Sequence, residues 1–236
     1  MVLPLTAVRP AICGIYCLTF YSTKNNLGEF METTLSKLLT VKEAALTRRS
    51  IRKYKPDPIP QSHLEEILSL ALLAPSAWNA QPWRYVVVRE VELKEKLREA
   101  ANNQAQVSLA PAVIVQYADM VDTLEHAEEI MHPNIPEENR KTRANGIRQS
   151  FASRSTQEAA TWGAGQNYIA LGYLMLLAQS YGYSTVPMLG FNQAKVKELL
   201  GLPEHVAISA LLPIGIADEE GHAHHRHSLE RVVRWS

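Results

Sequence analysis

Residues 74–88 read Ala74-Pro75-Ser76-Ala77-Trp78-Asn79-Ala80-Gln81-Pro82-Trp83-Arg84-Tyr85-Val86-Val87-Val88, and they divide into a loop followed by a strand. Before them, Leu64, Ile67, Leu68, Ala71 and Leu72 recur at helical spacing, and Pro75 ends that helix. Ser62 and Glu65 have the spacing of a capping box at its start. After the loop, β-branched residues predict a strand over Arg84–Arg89. The loop itself holds two prolines, two tryptophans and an Asn/Gln pair. It can be a turn anchored in the core by both tryptophans, or a loop whose amides meet the edge of a heterocycle.

Outward from this point, helices and strands follow one another without the regular alternation of a doubly wound sheet, so the class is mixed α/β or α+β. Leucines at 35, 38, 39 and 46 predict a helix over Thr33–Arg48. A helix over Val91–Ala101 precedes a buried strand at Ala112–Tyr117. The polar stretch Asp119–Arg154 reads as an excursion containing short helices. A long helix is expected from Thr156 to Tyr181. Its small residues, Ala159, Ala160, Gly163, Ala164, Gly165, Ala170 and Gly172, allow close approach in the centre of the fold or at a subunit interface. Tyr183–Pro187 reads as a short strand. Asn192 caps a helix ending at Leu200–Gly201, and Ala207–Ile216 is a last core strand.

Composition narrows the function. In 236 residues, 24 Lys and Arg balance 24 Asp and Glu, so no global field points to nucleic acid or an acidic membrane. The two cysteines, Cys13 and Cys17, form neither a Cys-x-x-Cys motif nor a zinc set, which suits a reducing cytoplasm. No metal site is expected, although His222, His224, His225 and His227 crowd the tail. Residues 1–30 hold an apolar run, Ala11–Tyr21, too short to span a bilayer. They are read as a dispensable extension preceding a single domain over 31–236. No Gly-x-Gly-x-x-Gly opens a helix after a strand, which argues against a Rossmann site, and no Walker loop or Gly-x-Ser-x-Gly elbow occurs.

Three further segments carry chemistry. In Arg48-Arg49-Ser50-Ile51-Arg52, an extended backbone would put Arg48, Ser50 and Arg52 on one side. Such a set can hold a phosphate by charge-assisted hydrogen bonds, or it can simply be a solvated basic helix end. In Val186-Pro187-Met188-Leu189-Gly190-Phe191, the glycine after a strand admits close backbone approach to a ligand, or marks an ordinary turn. In the tail, Arg226 is a second candidate phosphate ligand. The closing residues Val232, Val233 and Trp235 suggest a terminus that docks, for example on another subunit.

Taken together and in order, these segments from about Leu35 to Trp235 resemble the nitroreductase family of flavoproteins. The motifs are Arg-Arg-Ser-x-Arg, Pro-Ser-x-x-Asn-x-Gln-Pro-Trp, the long small-residue helix, Val-Pro-x-x-Gly-Phe and the closing Leu229–Trp235. The resemblance implies an α+β fold, a mostly antiparallel central sheet flanked by helices, in an intertwined homodimer with FMN at each of two interfaces. It implies that Arg48, with Arg49 beside it, and Ser50 contact phosphate and ribityl, and that Arg52 lies beside the pyrimidine edge. Pro75, Ser76, Ala77 and Asn79 would cover the flavin from the partner chain. Met188, Leu189 and Gly190 would face N5, His224 and Arg226 the phosphate, and Asn103 and Gln106 the pyrimidine. Some members carry lysine at the positions of Gln106 and His224 and an acid at that of Leu189; a neutral Gln106 would stabilise less charge at N1 and O2. The implied activity is NADH- or NADPH-dependent reduction of nitroaromatics, quinones or related electrophiles by ping-pong hydride transfer, with no side-chain nucleophile. Enone or semialdehyde reduction, dehalogenation, flavin breakdown, or flavin binding without turnover are the alternatives on the same fold.

Overall fold

In the computed structural model, which describes residues 38–236, the alternation of buried side chains along two central strands organises the molecule. Strands β1 (Trp83–Val88), β2 (Ala112–Ala118), β3 (Ser184–Thr185) and β4 (Ala207–Gly215) form one sheet in the order β1-β2-β4-β3, antiparallel throughout. Ala112 and Ile114 of β2, with Ala210, Leu212 and Ile214 of β4, face one side. There they meet Leu64, Ile67 and Ala71 of helix α2 (Gln61–Ala71) and Leu171 and Leu174 of the long helix α7 (Thr156–Ser180). Val113 and Val115 face the other side with Ile208 and Leu211, against Leu97 and Ala100 of α3 (Val91–Ala100) and Val196 of α8 (Gln193–Leu200). A period of two explains the split. Ile208 and Leu211 could not share a face on a regular strand. The register slips between Gln116 and Tyr117, which leaves Ser209 unpaired as a bulge and reverses the parity. The Ser209 hydroxyl then accepts from the Asn167 amide of α7 at 2.9 Å.

The α+β class and the mostly antiparallel sheet agree with the sequence, as do β2, β4, α3, α7 and α8. Asn192 caps α8 through Lys195 N–H, and Gly201 closes it in the left-handed region at φ 61°. Several boundaries differ. Helix α1 (Val41–Thr47) begins later than Thr33, because Thr40 and Glu43 form a reciprocal capping box that outweighs the leucine pattern. Leu35 and the extension over residues 1–30 lie outside the described residues. The capping box expected at Ser62 and Glu65 is not formed: α2 starts from Pro60, whose carbonyl receives His63 N–H and Leu64 N–H. β3 is shorter than expected because Pro187 has no N–H to give the ladder; pairing resumes at Met188 with Leu211. The excursion holds α5 (Met120–Glu125) and a fifteen-residue α6 (Glu137–Phe151), longer than the short helices expected. Of the two loop tryptophans, only Trp83 is buried; Trp78 is 50% exposed. The remaining short helices are α4 (Gln106–Leu109) and α9 (Leu229–Val232).

The small residues of α7 act unequally. A Cβ on Gly163 would sit 2.8 Å from Met120 Cγ and 3.1 Å from Ala118 Cβ, so this glycine sets the approach of α7 to the end of β2. A Cβ on Gly165 or Gly172 meets nothing within 4 Å among the described residues. Gly163→Val is expected to destabilise the fold by about 1–3 kcal/mol through overpacking. Urea unfolding checks this; a midpoint equal to wild type would contradict the close packing described.

Candidate functional site

The first site begins where α1 ends. Arg48 leaves the helix with extended ψ, Ser50 forms a parallel bridge with Thr185 of β3, and Ile51 N–H donates to Thr185 C=O. Ile51 and Tyr54 are buried anchors, and the Tyr54 hydroxyl donates to Ile51 C=O at 2.7 Å. Burial, and then the charge of Glu219, push the Tyr54 phenol far above its ordinary pKa, so it stays a neutral donor. With the apolar residues turned inward, Arg52 is exposed, while Glu219 accepts from its backbone N–H.

The C-terminal tail folds back over this segment. Gly221 has φ 69°, and a Cβ there would lie 2.8 Å from Ile51 Cδ1, so the crossing needs glycine. The crossing delivers His224, whose Nε2–H can donate to Arg48 C=O at 2.7 Å while Arg49 reaches the other ring nitrogen at 3.4 Å. It also delivers Arg226 to the neighbourhood of Arg48. The Arg48 guanidinium is pushed below its ordinary pKa by burial first, then by Arg226, then by Arg49. Among the described residues, Arg48, Arg49 and Arg226 form no ion pair with a carboxylate. A partly desolvated cation held beside two others is a place for an anion.

A second cluster lies on the same sheet edge. Met188 is buried and paired with Leu211, which turns Leu189 outward at 63% exposure. The Gly190 carbonyl accepts from Asn102 at 3.0 Å and Gln104 at 3.1 Å. Gln106 is buried and donates its amide to Gln104. Among the described residues, Leu189 N–H and Gly190 N–H have no acceptor. Asn103, singled out from the sequence, instead makes the turn at φ 56° beside Asn102. The residues that grip Gly190 are Asn102 and Gln104, which the sequence analysis did not single out. The signal for them is the Asn-Asn pair after a helix, since asparagine tolerates the left-handed region that closes helices.

The loop over 75–81 is placed elsewhere. Trp78, Asn79 and Gln81 all have positive φ, a strained run for residues other than glycine. Two outside anchors and one internal bond hold it: Ala77 N–H donates to Gln166 and the Asn79 amide to Ile130 C=O at 2.8 Å, while Gln81 N–H donates to the Ser76 hydroxyl within the loop. Pro75, Ala77 and Asn79 remain exposed. This loop enters β1 at Trp83, opposite Ala118 and, through it, Ala207. Ser50 meets Thr185, opposite Ile214. Four strand spacings of about 4.8 Å, since Ser50 lies outside β3, and seven residues of about 3.3 Å separate these corners, a diagonal of roughly 30 Å. Within one chain, Arg48, Arg49, Ser50, His224 and Arg226 come together beside Met188, Leu189 and Gly190. Pro75, Ser76, Ala77 and Asn79 do not join them.

The sequence profile described as the Nitroreductase family matches residues 45–216. The chain is 52% identical over 205 residues to a Thermus thermophilus protein called NADH dehydrogenase, covering 87% of this chain and 100% of that one. It is 34% identical over 196 residues to a provisionally named NAD(P)H nitroreductase of Bacillus subtilis, YdgI, covering 80% of this chain and 93% of that one. Among solved structures, a protein assigned to the nitroreductases and crystallised with FMN, from Exiguobacterium sibiricum, superposes with a TM-score of 0.76 at 29% identity, covering 84% and 98% of the two chains. The chain belongs to the nitroreductase family and is by that membership an oxidoreductase. Among the described residues, no group of His, Cys, Asp or Glu is arranged to hold a metal ion, and no helix is long and apolar enough to cross a membrane.

If the basic cluster is an anion site, Arg226→Gln relieves repulsion and slightly raises the thermal midpoint of the flavin-free protein. The same change shrinks the stabilisation that inorganic phosphate gives. Thermal unfolding with and without phosphate checks both signs; a phosphate effect undiminished by the substitution would remove Arg226 from the site.

Proposed function

We propose that this chain is an FMN-dependent oxidoreductase that takes electrons from NADH or NADPH and reduces nitroaromatics, quinones or related small electrophiles. In this reading the described residues form one flavin-binding domain, working as a homodimer with a flavin at each interface. The observation that carries it is the gathering of Arg48, Arg49 and Arg226 at one end of a sheet edge that also presents the Leu189 and Gly190 N–H groups, the former without a carboxylate partner and the latter without an acceptor among the described residues. Thr185 and Met188 are three residues apart along that edge, about 10 Å, which suits a ligand with a phosphate at one end and a flat ring at the other.

The chain's own residues fit this group. Arg48 and Arg226 would hold the phosphate by charge-assisted bonds, and the Ser50 hydroxyl would meet the ribityl chain. Arg52, exposed beside them, would supply positive potential to the pyrimidine edge. The Gly190 peptide, pinned by two amides, would present its N–H to the ring. When bound, FMN supplies the hydride chemistry itself, and two substrates taking the same open face in turn give ping-pong turnover. The protein's part is position, field and access.

The homodimer is supported by two features. The 75–79 loop lies too far from the basic cluster to serve the same ligand in one chain. The outer face of α7 presents Gly165, Tyr168, Ile169, Gly172 and Tyr173 at helical spacing, with Tyr168, Ile169 and Tyr173 all more than 40% exposed. A helix with one apolar face in the core and a second one outside calls for a further layer.

The test is the visible spectrum of purified protein, before and after anaerobic addition of NADH and NADPH. A flavin band that bleaches with at least one donor is expected. Colourless protein that cannot take up added FMN would refute the reading, and a band that neither donor bleaches would reduce it to a flavin-binding protein. Arg48→Ala should weaken FMN binding by about 1.5–3 kcal/mol, the scale of a hydrogen bond to a charged group.

A further inference from the structure

We propose that the pocket between the 75–81 loop and α6 is the acceptor site, built for a planar aromatic compound carrying one negative charge. This rests on the flavin reading above, which puts the 75–79 loop against the cofactor. The pocket has a volume of about 360 Å³ and is lined by Trp78, Met131, Arg143, Gly146, Ile147 and Ser150. That size lies at the lower end of ligand sites and suits a one- or two-ring compound.

Three observations define the occupant. First, the indole of Trp78 stands half-exposed in an aromatic group: it stacks on Trp162 at 5.6 Å and meets Phe151 edge-on at 5.9 Å. Its backbone is held in the left-handed region at φ 56°, so the ring is aimed by the loop and not by a relaxed rotamer search. A fixed, open aromatic surface favours a flat ring. Second, the other walls are the thioether of Met131 and the side chain of Ile147, and a Cβ on Gly146 would meet nothing within 4 Å, so the helix wall is open where a ring would lie. Third, Arg143 is the single cation of the lining and has no hydrogen bond or ion pair among the described residues. Of the neighbouring guanidiniums, Arg148 is committed to Glu128 and to two carbonyls, and Arg154 to the face of Phe151 at 4.7 Å; Arg140, one turn before Arg143, has no partner among the described residues but does not line the pocket. Among the described residues, no carboxylate lines the pocket. Apolar walls with one uncommitted guanidinium select an aromatic anion over its neutral analogue; the Ser150 hydroxyl, also in the lining, donates its proton to Ile147 C=O at 2.7 Å.

The pocket also lies next to the proposed flavin loop by direct contact, since the Asn79 amide bonds the carbonyl of Ile130, adjacent to Met131. An acceptor on Trp78 would therefore sit beside the residues that cover the ring.

Calorimetric titration of the holoprotein with 2-naphthoate and 2-naphthamide tests binding without turnover. The carboxylate is expected to bind about tenfold tighter, a modest ratio because Arg143 is exposed. Arg143→Met should erase that ratio, and Gly146→Leu, which fills the pocket, should weaken both ligands. Equal binding of the two by wild type, or a ratio surviving Arg143→Met, would overturn the proposal. In turnover, Arg143→Met should lower the preference for para-nitrobenzoate over para-nitrobenzamide about tenfold, through KM. Binding that responds while this preference does not would also overturn it, since the pocket would then not be the acceptor site. The two readings fail separately: protein that cannot take up FMN refutes the flavin reading, whereas FMN-loaded protein that a donor bleaches but that binds the two naphthyl ligands equally refutes the acceptor site alone.

Discussion

Uncompensated positive charge at the end of α1 is the constraint around which the rest is arranged. Three guanidiniums and an imidazole are brought together with no carboxylate among the described residues to neutralise them, and half-buried Arg48 has its charged form disfavoured by burial and by its neighbours. Such an arrangement opposes folding unless something holds it. Here Ile51 and Tyr54 lock the segment into the core from one side, and the tail crossing at Gly221 locks it from the other. An anion bound at that place would convert repulsion into attraction, so ligand binding and local stability are coupled.

Sheet geometry then decides what one chain can and cannot do. Residues 48–52, 188–190 and 224–226 share the β3 edge, whereas residues 75–79 enter at the far corner of β1. That separation follows from strand order and register alone. A flavin reached by both sets needs two chains, and the apolar outer face of α7 offers a surface for the second. The same 75–81 loop also shapes the pocket beneath Trp78, so cofactor cover and acceptor recognition would be joined in one strained turn.

Much of this was legible in the residues. A β-branched run marked β1, and continuous apolar stretches marked β2 and β4, whose side chains are buried on both faces. Small residues marked α7, and Asn192 with Gly201 bounded α8. Other features depended on competition that pattern alone does not resolve. A reciprocal Thr40–Glu43 cap set the start of α1 within a leucine pattern that ran further, and Pro60 began α2 in place of the Ser62–Glu65 pair. Of two tryptophans in one loop, positive φ turned Trp78 outward while β1 carried Trp83 inward. For the site, charge type announced Arg48, Arg49 and Arg226. The grip of Asn102 and Gln104 on Gly190 was not legible, because it depends on two left-handed residues, Asn102 and Asn103, that bring a distant turn to that carbonyl.

The most direct test of the shared site is complementation between two disabled chains. One carries Arg48→Ala with Arg226→Gln; the other carries Ala77→Trp, which adds bulk to the exposed loop. Each homodimer should lose FMN. The doubly tagged mixed dimer should recover one flavin for every two chains, because one of its two sites contains neither change. A mixed dimer as colourless as its parents would contradict a flavin gripped by both subunits, as would an Ala77→Trp homodimer that binds FMN like wild type.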